Sequence, residues 1–163
     1  MTKTQTLYLT RGALIAALYV ALTYASALFG LASGTIQFRL SEMLCILPIF
    51  LPEAVVGLTV GCLLANILTG AVLWDVIFGT LATLIGAVGA RLLRKLPERL
   101  KPIATLPTIF ANALIVPFVL IFAYGAPDAY WFLFLTVGLG EAVCAGALGT
   151  CLYYSLKKTE IFK

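Results

Sequence analysis

Residues 12–38 read GALIAALYVALTYASALFGLASGTIQF, and this stretch contains no charged side chain. A helix crosses the hydrocarbon core of a bilayer with about 20 consecutive apolar residues. The stretch is longer than the apolar region of a typical signal peptide, so we expect a membrane-spanning helix that is retained. Arg39 follows it directly and is the only cation between Arg11 and Arg91.

The composition of the whole chain also indicates an integral membrane protein. Of its 163 residues, 62% are hydrophobic and 11% are charged, whereas soluble domains are about 25% charged. The length permits five or six crossing helices with short loops and leaves no room for a soluble domain. We therefore predict an all-α, polytopic membrane protein with a single domain over residues 1–163.

Glycine, proline and charged residues divide the apolar sequence into six predicted helices. The second helix is short for a complete crossing. Residues 39–71 could instead form one broken helical unit, but two helices joined by a turn at Leu51–Glu53 are the favoured interpretation. The predicted helices span 9–30, 39–51, 53–71, 74–95, 102–125 and 128–157.

Lysine and arginine set the predicted orientation. All of them except Arg39 lie before or at the start of the first helix, around the connection between the fourth and fifth helices, or at the C-terminus. Six helices place these three regions on one side, which the positive-inside rule assigns to the cytoplasm. We predict a multi-pass protein of the cell membrane with cytoplasmic termini, and its net charge of +4 requires no nucleic-acid partner.

The residue types that are present disfavour enzyme chemistry. The four cysteines lie in apolar stretches without a C-x-x-C pair, which is typical of buried small side chains. The chain has no histidine and no G-x-x-x-x-G-K-S/T loop for ATP phosphates. We expect no catalytic residue, no metal and no cofactor.

Polar residues concentrate in the outer half of the predicted bundle, and two of them lie near its middle. We expect them to line one pocket that is open to the outside. These candidate substrate-binding residues are Gln37, Phe38, Arg39, Glu42, Asn66, Trp74, Asp75, Asn112 and Glu141.

Most of these candidates also have a purely structural interpretation. Arg39 and Glu42 are spaced i, i+3 and could neutralise each other. Trp74 is typical of an interfacial belt, Asp75 suits a helix start, and the two asparagines could bridge helices. Glu141 is the strongest candidate, because no Lys or Arg lies within fifteen residues of it and an unpartnered mid-membrane carboxylate indicates function.

The first helix carries a small residue at every fourth position: Ala13, Ala17, Ala21 and Ala25. Such a row forms a shallow groove in which another helix can approach closely. The row is compatible with packing inside this chain or with docking of a separate membrane subunit.

Several segments are distinctive in combination with these features: IQFRLSE (36–42), Leu47-Pro48, GCLLAN (61–66), DVIFGTLATL (75–84) and GEA (140–142). Together they resemble the QueT group of substrate-binding (S) components of energy-coupling factor (ECF) transporters. The resemblance covers nearly the whole chain, and residues 37–84 carry most of its specificity.

The resemblance implies import of a queuosine precursor, a 7-deazaguanine base. An S component binds substrate on the outer side beneath a lid formed by its first loop. It then docks through the helix 1 alanines onto a transmembrane T subunit with two ABC-type ATPases.

A guanine-type edge presents an N–H and an NH₂ group side by side, which a carboxylate can accept. We assign Glu141 to that edge and Trp74 or Phe38 to stacking on the ring. An aminomethyl-deazaguanine would add a cation and favour a second acid, for which we assign Asp75 or Glu42.

Two alternatives remain open. The chain could be an S component for another vitamin or purine-like base, such as riboflavin or thiamine. It could also be a membrane scaffold subunit whose acids only pair with Arg39.

Overall fold

A computed structural model describes residues 2–32 and 37–159, and this part of the chain is helical without a strand. A 3-10 helix, Leu40–Ile49, follows the first α-helix, and shorter 3-10 turns, Leu93–Lys95 and Glu98–Thr105, connect the third to the fourth. The α-helices are α1 (Lys3–Leu28), α2 (Glu53–Leu68), α3 (Leu73–Leu92), α4 (Leu106–Tyr124), α5 (Tyr130–Glu141) and α6 (Gly149–Lys158).

Four helical stretches are long and apolar enough to cross a membrane: Lys3–Leu28, Leu73–Lys95, Glu98–Tyr124 and Tyr130–Lys158. The 3-10 helix and α2 are shorter. At 1.5 Å per residue, α2 is roughly 24 Å long, which is less than the hydrocarbon thickness of about 30 Å. The predicted all-α fold is confirmed, while six crossings and cytoplasmic termini stay predictions.

Two predicted helices differ in kind from the observed ones. The second is a 3-10 helix, Leu40–Ile49, with Pro48 in its last turn; a proline there removes one backbone N–H from the helix. The sixth consists of α5 and α6 joined by a π-helical segment, Ala142–Leu148. This segment follows Glu141 directly, and π-helical turns are frequent at functional sites.

Glycines allow α1 and α2 to pack closely. A Cβ on Gly57 would lie 2.6 Å from the carbonyl oxygen of Gly12, and a Cβ on Gly61 would lie 2.8 Å from the Cβ of Tyr19. Only glycine permits this approach. The side of α1 that faces inward carries the buried residues Ile15, Ala16, Tyr19, Thr23 and Ser26.

The alanine row lies on a different side of α1 from the packed residues. Ala13, Ala17 and Ala21 are exposed, and Ala25 is partly buried. The close packing of α1 against α2 therefore uses other small residues, and the outer face of the helix stays accessible.

Polar contacts gather several segments at one end of the bundle. Arg11 lies 3.6 Å from the buried carboxylate of Glu53 at the start of α2. Arg91, near the end of α3, donates a 3.0 Å hydrogen bond to the carbonyl of Pro48. Lys157, near the end of α6, pairs at 2.8 Å with a glutamate of the α3–α4 connection.

The α1–α2 contact predicts a specific sensitivity to added volume. We expect Gly57→Ala to lower the midpoint of thermal unfolding in detergent, because overpacking costs about 1–3 kcal/mol. Gly138→Ala is the matched control, since a Cβ there would meet its nearest neighbour, the Cβ of Ala113, at an ordinary 3.6 Å. Equal midpoints for the two variants would contradict the close approach of α1 and α2.

Candidate functional site

A buried ion pair joins the 3-10 helix to α3. The guanidinium of Arg39 lies 3.8 Å from the carboxylate of Asp75, and both side chains are about nine-tenths buried. Arg39 also donates from Nε to the carbonyl of Ala32 at 3.0 Å. The hydroxyl of Tyr124, at the end of α4, donates to Oδ2 of Asp75 at 3.0 Å. The pair therefore ties the end of the first loop to α3 and α4.

Asn66 extends this cluster towards α2. Its Nδ2 donates to the backbone carbonyl of Asp75 at 3.3 Å and lies 3.6 Å from the sulfur of Cys62. Its Oδ1 is buried and has no hydrogen-bond partner within the described ranges. The amide nitrogen thus bridges α2 and α3, as the structural interpretation predicts, and the oxygen is left as an acceptor.

Glu42 is held by two neutral donors. The hydroxyl of Tyr19 on α1 donates to Oε1, and the thiol of Cys45 donates to Oε2 at 3.2 Å. The side chain is almost completely buried, at 1% exposure. Glu42 is therefore held by Tyr19 of α1 and by Cys45. Arg39 does not pair with it, because the ion pair of Arg39 is with Asp75.

Two further hydrogen bonds attach the 3-10 helix to α1. The hydroxyl of Thr23 donates to that of Ser41 at 2.7 Å, and the backbone N–H of Leu40 donates to the hydroxyl of Ser26 at 3.0 Å. Tyr19, Thr23 and Ser26 thus form a row of polar residues on the inward side of α1.

Glu141 is the last residue of α5 and is 7% exposed. Its Oε2 has no hydrogen-bond partner in the part of the chain that the structure describes. The carboxylate lies within electrostatic range of Glu42 and Arg39, so we group the three side chains as one polar cluster. The adjacent Gly140 lies against the backbone of Gln37, where a Cβ would come 1.9 Å from the carbonyl oxygen.

Asn112 lies among buried side chains of α4. Its Nδ2 donates to the backbone carbonyl of Thr108 at 3.2 Å, one helical turn earlier. The hydroxyl of Thr108 is buried and has no hydrogen-bond partner among the residues described. This face of α4 therefore offers polar atoms to the interior of the bundle.

The two aromatic candidates are placed differently. Trp74 is 56% exposed and stacks on Phe78 at 5.9 Å in an apolar surface groove of about 580 Å³ beside α4. It is not brought to the buried cluster. Phe38 is half-buried, and its backbone N–H donates to the carbonyl of Leu31 at 2.7 Å. Residues 33–36 of the predicted lid lie outside the described residues.

Sequence reasoning missed several members of the cluster, including Tyr19 and Tyr124. For α1 a signal was present, because Tyr19, Thr23 and Ser26 are spaced i, i+4 and i+7 and so share one face of an otherwise apolar helix. Tyr124 carried no comparable pattern, since its contact with Asp75 depends on tertiary packing.

The cluster is suited to a polar ligand with several N–H donors. Among its described residues, Glu141 Oε2, Asn66 Oδ1 and Thr108 Oγ1 are buried acceptors without a partner. Buried polar atoms are normally hydrogen-bonded, so these three acceptors are open to a ligand or to water.

Comparison with known proteins agrees with the segments that suggested a resemblance. A family model described as QueT transporter matches residues 9–158. The chain belongs to the QueT transporter family. This QueT-family chain is 41% identical over 86 residues to the queuosine precursor transporter QueT of Lactococcus lactis subsp. cremoris (strain MG1363). The aligned region covers 52% of this chain and half the length of that relative, and no solved structure matches the chain.

The ion pair in this QueT-family chain predicts a rescue experiment. We expect Arg39→Met to destabilise the protein by about 3–5 kcal/mol, because it leaves the buried Asp75 carboxylate without a counter-charge. Adding Asp75→Asn to that variant removes the unpaired charge and should recover part of the loss. Thermal unfolding in detergent measures both variants, and a double variant no more stable than Arg39→Met would contradict the pairing.

Proposed function

We propose that this chain is the S component of an ECF-type importer and that it binds a queuosine precursor, a 7-deazaguanine base, from outside the cell membrane. Family membership and the name of the Lactococcus relative support the substrate class. The observation that carries the proposal is the unpartnered, buried Oε2 of Glu141 within a polar cluster.

The chemistry of the base fits these acceptors. A 7-deazaguanine presents an N–H and an NH₂ group side by side, and a carboxylate such as that of Glu141 accepts both. The free Oδ1 of Asn66 offers a further acceptor. We assign the edge of the base to Glu141, and the first loop, whose residue Gln37 rests against Gly140, to the lid.

The orientation follows from the distribution of charge. Arg11, Arg91 and Lys157 lie in the segments gathered at one end of the bundle, and the polar cluster contains Arg39 as its cation. Under the positive-inside rule the cation-rich end faces the cytoplasm, so the polar cluster opens outwards. We propose six crossings of the cell membrane with both termini inside.

Energy coupling requires partners, since the sequence has no ATP-binding loop. We propose a transmembrane T subunit carrying two ABC-type ATPases, with the alanine row of α1 as the docking surface. The exposure of Ala13, Ala17 and Ala21 supports docking over internal packing. Small exposed residues let a partner helix approach the backbone closely.

Substitution of the principal acid tests the proposed site. We expect Glu141→Gln to weaken binding of 7-deazaguanine bases by more than tenfold, because an amide accepts with one oxygen and places its NH₂ against the donors of the base. Isothermal titration of the purified protein measures the effect. Glu98→Gln, an exposed acid outside the cluster, should bind as the parent does, and unchanged affinity in Glu141→Gln would refute the assignment.

The docking surface predicts a separation of binding from transport. We expect Ala17→Trp to abolish uptake of the base in cells while the purified variant binds it as the parent does, because the indole fills the groove that a partner helix needs. Ile85→Trp, at an exposed position of α3, is the control and should transport normally. Normal uptake by Ala17→Trp would exclude docking at this row, and a failure of both functions would place Ala17 in the fold instead.

A further inference from the structure

A groove between α1 and α6 lies apart from the polar cluster, and the proposed function gives it no task. Its volume is about 340 Å³, and eight of its nine lining residues are leucine or isoleucine, while the ninth is Arg11. Both α1 and α6 pack on the 3-10 helix, which contributes to the lining between them. The leucines include Leu14 and Leu18 of α1, Leu44 and Leu47 of the 3-10 helix, and Leu152 and Leu156 of α6.

The walls of this groove favour a flexible aliphatic occupant. Both helices belong to stretches that are long and apolar enough to cross a membrane, and Leu14 and Leu18 are 60% and 45% exposed. Water finds few hydrogen-bond partners in such a site. A partner helix packs closely on small residues, whereas this groove is lined by large ones. An acyl chain adapts to such a surface without a polar partner.

Arg11 gives the groove one charged end. It directly precedes the uncharged stretch 12–38, so we place it at the boundary between hydrocarbon and lipid headgroups. Leu14 and Leu18 lie roughly 5 and 10 Å further along the helix axis, inside the hydrocarbon. On α6, Leu156 is followed by the exposed cations Lys157 and Lys158. The groove is therefore cationic at one end and apolar along the rest of its length.

Arg11 has the capacity to bind an anion in addition to Glu53. Its Nη1 lies 3.6 Å from one carboxylate oxygen of Glu53, and 41% of its side chain is exposed. A guanidinium carries five N–H donors in a planar fork that matches the geometry of a phosphate group. The exposed part of Arg11 can therefore hold a phosphate while the contact with Glu53 persists.

We propose that this groove binds one anionic phospholipid, with an acyl chain along the leucines of α1 and α6 and the phosphate on Arg11. A lipid with net negative charge is favoured over a zwitterionic one, because the choline of phosphatidylcholine brings a second cation close to Arg11. The site is independent of the substrate proposed above and involves none of the residues of the polar cluster.

A competition between two lipids tests the proposal on the purified chain. Phosphatidylglycerol and phosphatidylcholine with identical acyl chains are added in equal amounts in detergent, and native mass spectrometry counts the lipid that each protein molecule retains. We expect one retained phosphatidylglycerol, at least about fivefold more abundant than phosphatidylcholine, as one cation beside an anionic headgroup predicts. Excess glycerol 3-phosphate, which has the anion without the chains, should not displace it.

Variants locate the headgroup and the chain. We expect Arg11→Gln combined with Glu53→Gln, which removes both charges of the pair, to bring the ratio of the two lipids close to one. Glu53→Gln alone should keep or raise the preference, because Arg11 is then released from its acid. Arg94→Gln, an exposed cation of the same end, should leave the ratio unchanged.

Filling the groove tests the position of the chain without changing a charge. We expect Leu14→Trp to lower retention of phosphatidylglycerol at least about fivefold, because the indole occupies the space of the acyl chain. Ile85→Trp, at an exposed position of α3, should retain lipid as the parent does. Thermal unfolding curves accompany the variants, and the competition on the parent protein stands even if a variant does not fold.

The contrary results are equally specific. Equal retention of the two lipids by the parent, or displacement of phosphatidylglycerol by glycerol 3-phosphate, would overturn the proposal. A preference that survives in the folded double variant would overturn the role of Arg11. Unchanged lipid retention in Leu14→Trp together with loss of uptake would assign the groove to the T subunit and overturn its occupation by lipid.

Discussion

The ion pair between Arg39 and Asp75 is the contact on which the polar end of this protein depends. It joins the end of the first loop to the start of α3, and the hydroxyl of Tyr124 brings α4 to the same carboxylate. Both charges are removed from water, so each is tolerated only in the presence of the other. Glu42 follows three residues after Arg39, in the first turn of the 3-10 helix.

The helical elements could be predicted because a membrane imposes a simple rule. Backbone groups in hydrocarbon must bond within their own helix, so apolar runs bounded by glycine, proline and charge indicate helices. The 3-10 character around Pro48 and the π-helical segment after Glu141 were not predicted. Both depend on local hydrogen-bond geometry, and apolar content alone does not distinguish among helix types.

The sequence was enough to predict which polar residues belong to the candidate site, but not which of them form ion pairs and hydrogen bonds with each other. Arg39, Asp75, Asn66, Glu42 and Glu141 all belong to the buried cluster, because polar groups in an apolar chain collect away from lipid. The spacing of Arg39 and Glu42 suggested a local pair, yet the ion pair of Arg39 is with the sequence-distant Asp75. Trp74 points to an apolar groove at the surface, and the sequence could not assign its side of the helix.

Two sides of α1 belong to different surfaces of the protein, and only the width of the helix separates them. Tyr19 and Thr23 contact the site-bearing 3-10 helix from one side, while Ala17 and Ala21 are exposed on another. A helix is about 10 Å across, and alanine adds little to that width. A partner that binds the alanine row is therefore separated from Glu42 by the width of one helix. A small rotation of α1 would move the alanine row and the contacts of Tyr19 and Thr23 at the same time.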